Sequence, residues 1–444
     1  MKHVLILGAG RVARPCVQYL LRQEDIDLTV VDISKESLDR VTEGHPRTRT
    51  IVADAGQESK ELISSIKPNI VINLLPPAFM ASIAKQCLEA KINLVHPNYL
   101  NAETLNLDSK VKSAGLTFIA ELGLDPGIDH MSAIRTIRDI RQHGGQVESL
   151  RSICGALPSA EANTNPWGYK LNWSPSSLIG ACKRDARIKL DGQVFEWLGG
   201  ETYKHVYLEE VKPLGWYEIY ANADALPYVE RYGIPEVKTI YRGTIRYVGW
   251  CETVVAMNAF GLVEETLQDF SDLTFRGFMA RQVGEEDEAK VEEAVCRKLG
   301  ICSYNAVFQR FAWLGLFDDQ PLPFEKGSAR DVISFLFNKK LVFDEGERDL
   351  VILKDNIVAF YPGSDKRLRH TSTLIDFGIP NGDTFIARTT GLPMAIAAKL
   401  ILEGKICVHG VLTPVVPEIA LPVLDGLEQE GIVLTEKSEE LNFC

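Results

Sequence analysis

Two stretches of this chain carry charged groups in patterns that can do chemistry. The first, "ELGLDPGIDHM" (121–131), sets Asp125 and Asp129 around a Pro-Gly pair with apolar residues on either side. A carboxylate there can serve as acid, base or ion-pair partner. Its plainer reading is a helix start, in which Asp125 caps free amides and Pro126 enters the first turn of a helix whose Met131, Ile134, Ile137 and Ile140 recur at helical spacing. Asp129 then belongs to the electrostatics of that start. The second stretch, "YRGTIRY" (241–247), alternates as a strand does, so Arg242, Thr244 and Arg246 share one face while Ile245 and Tyr247 share the other. Arginine's planar fork can grip a carboxylate at two points, although an arginine pair on a strand is commonly a solvated edge.

A third pattern concerns phosphate. Gly8-Ala9-Gly10-Arg11-Val12-Ala13 follows an apolar strand, "HVLILG", and opens a helical pattern. In such a G-x-G-x-x-A turn Gly8 permits the tight bend, Gly10 lets a pyrophosphate approach the backbone, and Ala13 keeps helix and sheet close. The helix amino terminus attracts the phosphates. Asp32 ends the next strand at the distance where a carboxylate accepts hydrogen bonds from an adenosine ribose and repels an extra phosphate, so NAD is the expected cofactor. Nearby Lys35 keeps NADP open. Asp54 and the segment Asn73 to Pro77, with Leu75, end the following strands and are expected along the adenine and the middle of the cofactor, or else are simple turns.

These residues need a scaffold. Strand runs such as "DLTVVD", "NIVINLL" and "LTFIAEL" alternate with amphipathic helical stretches, the rhythm of a doubly wound parallel sheet, with its ligand crevice at the carboxyl ends of the strands. Beyond Gly144-Gly145 the pattern becomes that of a mixed sheet with helices, and near "GLPMAIAAKLILEGKI" helical patterning with small residues returns. The expected fold is α/β: a Rossmann domain over residues 1–125 and 390–444, interrupted by an α+β domain over 126–389 that binds substrate and makes a dimer contact, with the active site in the cleft between them.

Composition narrows the partners. A net charge of −12 and 45% hydrophobic residues over 444 positions describe an acidic globular chain, which disfavours nucleic acid or an anionic membrane. The apolar run over residues 70–84 is broken by Asn73, Pro76 and Pro77, so no spanning segment is expected there. The short apolar start runs too soon into glycines to read as a signal peptide. Nine cysteines without a C-x-x-C pair read as reduced thiols, implying a cytoplasmic protein, and the histidine spacing implies no metal. A homodimer is expected on symmetry grounds.

"ELGLDPGIDHM", "NPWGYKLNWSP" (165–175), "YRGTIRYVGW" (241–250) and "TTGLPMAIAAKLI", in that order, resemble the glutamate-forming saccharopine dehydrogenase family. The resemblance implies a Rossmann domain interrupted by a substrate domain, NAD or NADP, and interconversion of saccharopine with glutamate and 2-aminoadipate 6-semialdehyde. It implies that Asn98, Tyr99, Asp125, Thr244, Ile245 and Arg246 bind substrate, with Tyr99, Asp125 and Arg246 catalytic; Arg242, on the same strand face as Arg246, is expected to join them on the alternation alone. Asp125 would pair with the substrate's amine or relay its proton, and Leu124, Asp125, Trp173 and Ser174 would lie on the cofactor. Two departures stand out: Asn98-Tyr99 replaces a Ser-Tyr pair, and Asn222-Ala223-Asp224-Ala225 replaces Asn-Arg-Asp-Ser, losing an arginine expected to hold a substrate carboxylate. The alternatives are a dehydrogenase of lysine or of a carboxylated polyamine precursor, and a catalytically silent NAD(H)-binding regulator.

Overall fold

The computed structural model describes residues 1–441, so Cys444 lies outside the described residues. Two compact units divide the chain: Met1–Glu148, Arg231–Glu236 and the chain from Leu353 onward form one, while Ser149–Glu230 and Val237–Ile352 form the other.

In the first unit, β1 (Lys2–Leu7), β2 (Ile26–Asp32), β3 (Thr48–Val52), β4 (Ile70–Asn73), β5 (Asn93–Val95) and β6 (Thr117–Ile119) alternate with α1 (Ala13–Leu21), α2 (Lys35–Thr42), α3 (Ala55–Ile66), α4 (Met80–Ala90), and the short α5 (Ala102–Leu105) and α6 (Asp108–Ser113). The sheet runs β3-β2-β1-β4-β5-β6, every neighbour parallel, and a seventh strand, Gly410–Leu412, pairs with β6. The central strands β1 and β4 are apolar on both faces because helices cover both, whereas β3, at the sheet edge, is polar and partly exposed. On one face Leu5, Leu7, Val31, Val71, Leu94 and Phe118 join Ile63, Ile83 and Val111 in a buried core. Strand order reverses between β1 and β4, which opens a crevice at their carboxyl ends. Gly8 and Leu74 stand there, with the Leu74 amide donating to Leu7 O at 2.8 Å. Gly8 has φ +102°, and a Cβ on it would lie 3.3 Å from the Leu74 carbonyl carbon, so glycine is required twice over.

The helix Phe385–Leu402 lies against α1, β4 and the helix Pro417–Gln429. By length and composition it is apolar enough to cross a membrane, but 61% of it is buried inside the protein, where it forms part of the core. At its closest approach to α1 stands Gly391, where a Cβ would sit 2.7 Å from Val12 O.

The unit boundaries differ from those expected, since residues 125 and 390 both fall inside the first unit. Packing explains the difference. The long helix α7 (Ile128–Gln142) buries Met131, Ile134, Ile137 and Ile140 and packs on Pro417–Gln429, so the chain stays in this unit past 125. The strands Lys366–Phe377 and Thr435–Glu440 pair in the same unit well before and after residue 390.

In the second unit, β7 (Gln146–Pro158), where the chain passes over, β8 (Ala186–Leu190), β9 (Gln193–Trp197), β10 (Tyr207–Val211), β11 (Gly215–Ala221) and β12 (Thr239–Arg246) build a mixed sheet ordered β10-β11-β12-β7, with the strand Asp349–Tyr361 beside β7. β12 is central, antiparallel to β11 and parallel to β7, so its arginines occupy an interior strand and not a solvated edge. The short helix α8 (Pro175–Ala181) follows Trp173.

Gly391→Ala is expected to destabilise the protein by about 1–3 kcal/mol, the usual range for a forced extra methyl in a packed contact. Denaturant unfolding at unchanged m-value measures it, and an unchanged midpoint would show that the two helices separate freely.

Candidate functional site

The glycine turn after β1 is held by ionic contacts from below. Asp32 accepts from the Ala9 amide at 2.7 Å and from the Ser34 amide at 2.8 Å, tying the end of β2 to the turn. Arg40, on α2, donates to both Ala9 O and Gly10 O at 3.0 Å. Arg11 lies close enough to Arg40 that burial first, and that like charge second, lower its pKa. The far side of the turn is open: a Cβ on Gly10 would meet nothing within 4 Å, and no side chain caps α1 at Val12. Backbone room at Gly10 together with a helix amino terminus that no side chain caps fits a dinucleotide pyrophosphate. Asp54 caps α3 by accepting from the Gly56 and Gln57 amides, and Leu75 is half-buried beside the β4 turn.

A second cluster forms where β5 and β6 end. Asn98 Nδ2 donates to Leu75 O at 3.2 Å, linking this cluster to the β4 turn. The Tyr99 hydroxyl donates to Asp125 Oδ1 at 3.2 Å, so these two sequence-predicted residues meet. Leu124 is buried beside them, at 4% exposure. The expected cap does not form. α7 begins at Ile128 with Gly127 as its N-cap and no capping side chain, while Pro126 precedes the helix. Asp129 instead accepts from the Gly127 amide at 2.6 Å, so the Asp125 carboxylate is not used as a helix cap.

Behind this pair lies a group that sequence reasoning passed over. Glu121, 1% exposed, accepts from the Leu100 amide at 3.0 Å and lies 3.0 Å from His130 Nε2 and 3.3 Å from Arg231 Nη1. His130 Nδ1 meets the Tyr232 hydroxyl at 2.7 Å. Burial pushes the Glu121 carboxyl up, but the hydrogen bond and charge of His130, then the Leu100 amide and Arg231, outweigh it and hold the group down at about 2. An acidic residue inside an apolar strand end was the available signal; its partners, up to 110 residues away, were not.

In the second unit Arg246 is 5% exposed. Its Nη1 donates to Ile245 O at 2.8 Å, its guanidinium lies 5.1 Å from the Tyr169 ring and 5.6 Å from the Trp250 ring, and its Nε bonds to no described residue. Aromatic faces attract a cation but leave its outward donors for a ligand. Arg242, 2% exposed, stacks at 4.5 Å on Tyr228, away from the rings that hold Arg246. Ile245 is fully buried and Thr244 half-buried on the same strand. Trp173 donates to the Tyr169 hydroxyl at 2.8 Å, and Ser174 caps α8 by accepting from the Ser177 amide. Lys170 is occupied by Glu347 at 2.5 Å. Around Ala223, whose φ is +57°, Arg184 donates to Asn222 at 3.3 Å and Arg187 to Asp224 at 3.1 Å, so two arginines flank the segment that lacks one.

Comparison with known proteins agrees with this geometry. Residues 4–119 match the family model described as saccharopine dehydrogenase NADP binding domain, and residues 123–432 the one described as saccharopine dehydrogenase C-terminal domain. The mitochondrial alpha-aminoadipic semialdehyde synthase of Bos taurus is 34% identical over 98% of this chain, which spans only 48% of that longer protein. Saccharopine dehydrogenase (NADP(+), L-glutamate-forming) of Schizosaccharomyces pombe is 31% identical over 98% of this chain and 99% of its own length. The apo, histidine-tagged saccharopine dehydrogenase (L-Glu forming) of Saccharomyces cerevisiae superposes with a TM-score of 0.85 at 29% identity, covering 99% of this chain and 100% of that one. The NADP of these descriptions does not support the expected preference for NAD. With one family model covering more than half its residues and a relative alike from end to end, this chain belongs to the saccharopine dehydrogenase family.

Proposed function

We propose that this chain is an NAD(P)-dependent oxidoreductase that interconverts saccharopine with L-glutamate and 2-aminoadipate 6-semialdehyde. The observation that carries the reading is Arg246, a buried guanidinium whose visible partners are aromatic faces and one carbonyl. Such a cation is suited to a carboxylate of the substrate, and in a protein of net charge −12 an anionic substrate has to be held by local cations. Oxidising a secondary amine removes a hydride from carbon and a proton from nitrogen, and water then divides the imine into amine and aldehyde. When bound, the nicotinamide supplies the hydride chemistry. Gly8, Gly10 and the start of α1 would hold its pyrophosphate. The Asp125 carboxylate, kept in place by the Tyr99 hydroxyl, takes the proton leaving nitrogen or pairs with the charged amine before it leaves.

Both dinucleotides are accommodated in this reading. Asp32 works against a 2′-phosphate, while Arg11 and Arg40 beside the turn work for it, and the names of the relatives support NADP. Asp32→Ser is therefore expected to raise the ratio of NADP to NAD kcat/KM, and Arg40→Ala to lower it. Opposite signs would remove both residues from cofactor selection.

Purified protein given saccharopine and either dinucleotide at alkaline pH tests the reaction. Absence of turnover with any amine, despite NADPH binding, would leave a silent dinucleotide-binding protein. Arg246→Ala is expected to lower saccharopine kcat/KM by the equivalent of about 2–5 kcal/mol, the range for stranding a buried charge partner, with NADPH affinity unchanged. Arg184, beside Asn222 and bonded to its amide oxygen, supports retention of saccharopine despite Ala223. A preference above about tenfold, or ~1.4 kcal/mol, for an analogue lacking one carboxylate would overturn the substrate and keep the dehydrogenase. The cytoplasmic, homodimeric state is part of the same proposal; free cysteines such as the buried Cys16, Cys87 and Cys154 support a reducing compartment, and sedimentation measures the assembly.

A further inference from the structure

We propose that Glu121 is a positioning residue for the amine chemistry, holding Tyr99 and Asp125 in contact through an amide hydrogen bond from Leu100 and close approaches to His130 and Arg231. The kinetic part of this inference rests on the reaction proposed above.

The chain brings Tyr99 and Asp125 together from two separate segments. Near their bases the segments are joined by backbone bonds, from the Glu121 amide to Asn98 O and from the Leu122 amide to His96 O, each 3.1 Å long. Both segments have already left regular structure at those bonds, β5 having ended at Val95 and β6 at Ile119. Tyr99 and Asp125 lie in these irregular stretches, 3.2 Å apart at the hydroxyl and carboxylate.

Glu121 ties both stretches down. One oxygen takes the amide of Leu100, the residue after Tyr99, and the same carboxylate reaches His130 in the first turn of α7, just beyond Asp125. Arg231, from the short segment 231–236 that rejoins this unit, lies 3.3 Å from it. The backbone at Glu121 is left-handed, φ +61°, which a non-glycine residue adopts at a cost.

Folding alone does not call for this arrangement. Apolar residues in place of the whole ionic cluster would often be as stable. A carboxylate can accept from an amide while its charge faces an imidazole and a guanidinium, and those three contacts link the loop after β5, the start of α7 and the returning segment. His130 is itself anchored by Tyr232 and Asp129, the latter 3.4 Å from Nδ1. The centre therefore has defined positions for both of its long-range arms.

The near-isosteric Glu121→Gln keeps an acceptor for Leu100 but loses the charge. Expected results are a fall in kcat for saccharopine of at least tenfold, an unchanged KM for the dinucleotide, and hydrogen exchange at least tenfold faster at amides 98–101 and 124–127 but unchanged over residues 2–32. In a Tyr99→Phe background the same change should cost less than threefold more, since both then act through one contact. A kcat within twofold of the unmodified enzyme, or full additivity with Tyr99→Phe, would overturn the proposal. Should Glu121→Gln not fold, Arg231→Gln removes one arm and is expected to show a smaller loss with the same exchange pattern; its absence counts against the proposal equally. If the unmodified enzyme does not oxidise saccharopine, the reaction assignment falls, while the exchange pattern still decides whether Glu121 holds the two loops.

Discussion

The approach of the helix Phe385–Leu402 to the first turn of α1 is the contact on which the dinucleotide turn depends. At Gly391 the two backbones come so close that a single methyl would strike Val12 O. On the opposite side Gly8 admits the Leu74 carbonyl. The turn is thus confined between two backbone surfaces, and Asp32 and Arg40 fasten its amides and carbonyls to β2 and α2. A loop fixed in this way before any ligand arrives has little conformational entropy left to lose on binding.

Arg246 meets a different constraint. A guanidinium at 5% exposure has given up most of its hydration, and the ring faces of Tyr169 and Trp250 return part of that attraction without using its hydrogen-bond donors. A carboxylate from the protein would have neutralised it more fully, as Glu347 does for Lys170. The difference between these two buried cations is what separates a structural ion pair from a group suited to an anionic ligand.

The parts of this organisation that are local in sequence were legible there. The glycine spacing, the strand before it and Asp32 lie within one βαβ unit, and the alternation of Arg242 and Arg246 needs only a strand. Other features depended on where distant segments land. Asp125 reads as a cap because proline and glycine resemble a helix start, yet the Gly127 backbone, φ +148°, begins the helix later and leaves the carboxylate to Tyr99. Nothing local in "ELGLDPGIDHM" names Arg231 or Tyr232 as partners of Glu121 and His130. Arg242 and Arg246 look equivalent in sequence, yet different rings pack over them, Tyr228 over the first and Tyr169 and Trp250 over the second. The return to the first unit was placed too late because strands such as Lys366–Phe377 alternate like those of the second unit, and only their pairing with Thr435–Glu440 assigns them.

Strand β6 is completed from the far end of the chain: the Thr117 hydroxyl donates to Val408 O across 291 residues, and Arg14 on α1 pairs with Asp383 across 369. On a ribosome adding roughly 5–20 residues per second, the first 120 residues would wait about 15–60 s for the strand that closes their sheet edge. During that interval the apolar side of α1 that Phe385–Leu402 later covers is exposed, and so is the outer edge of β6. A permuted chain that began in the stretch between the strand Lys366–Phe377 and the helix Phe385–Leu402 would deliver both covering elements before β1 is made, removing the longest delays in assembly.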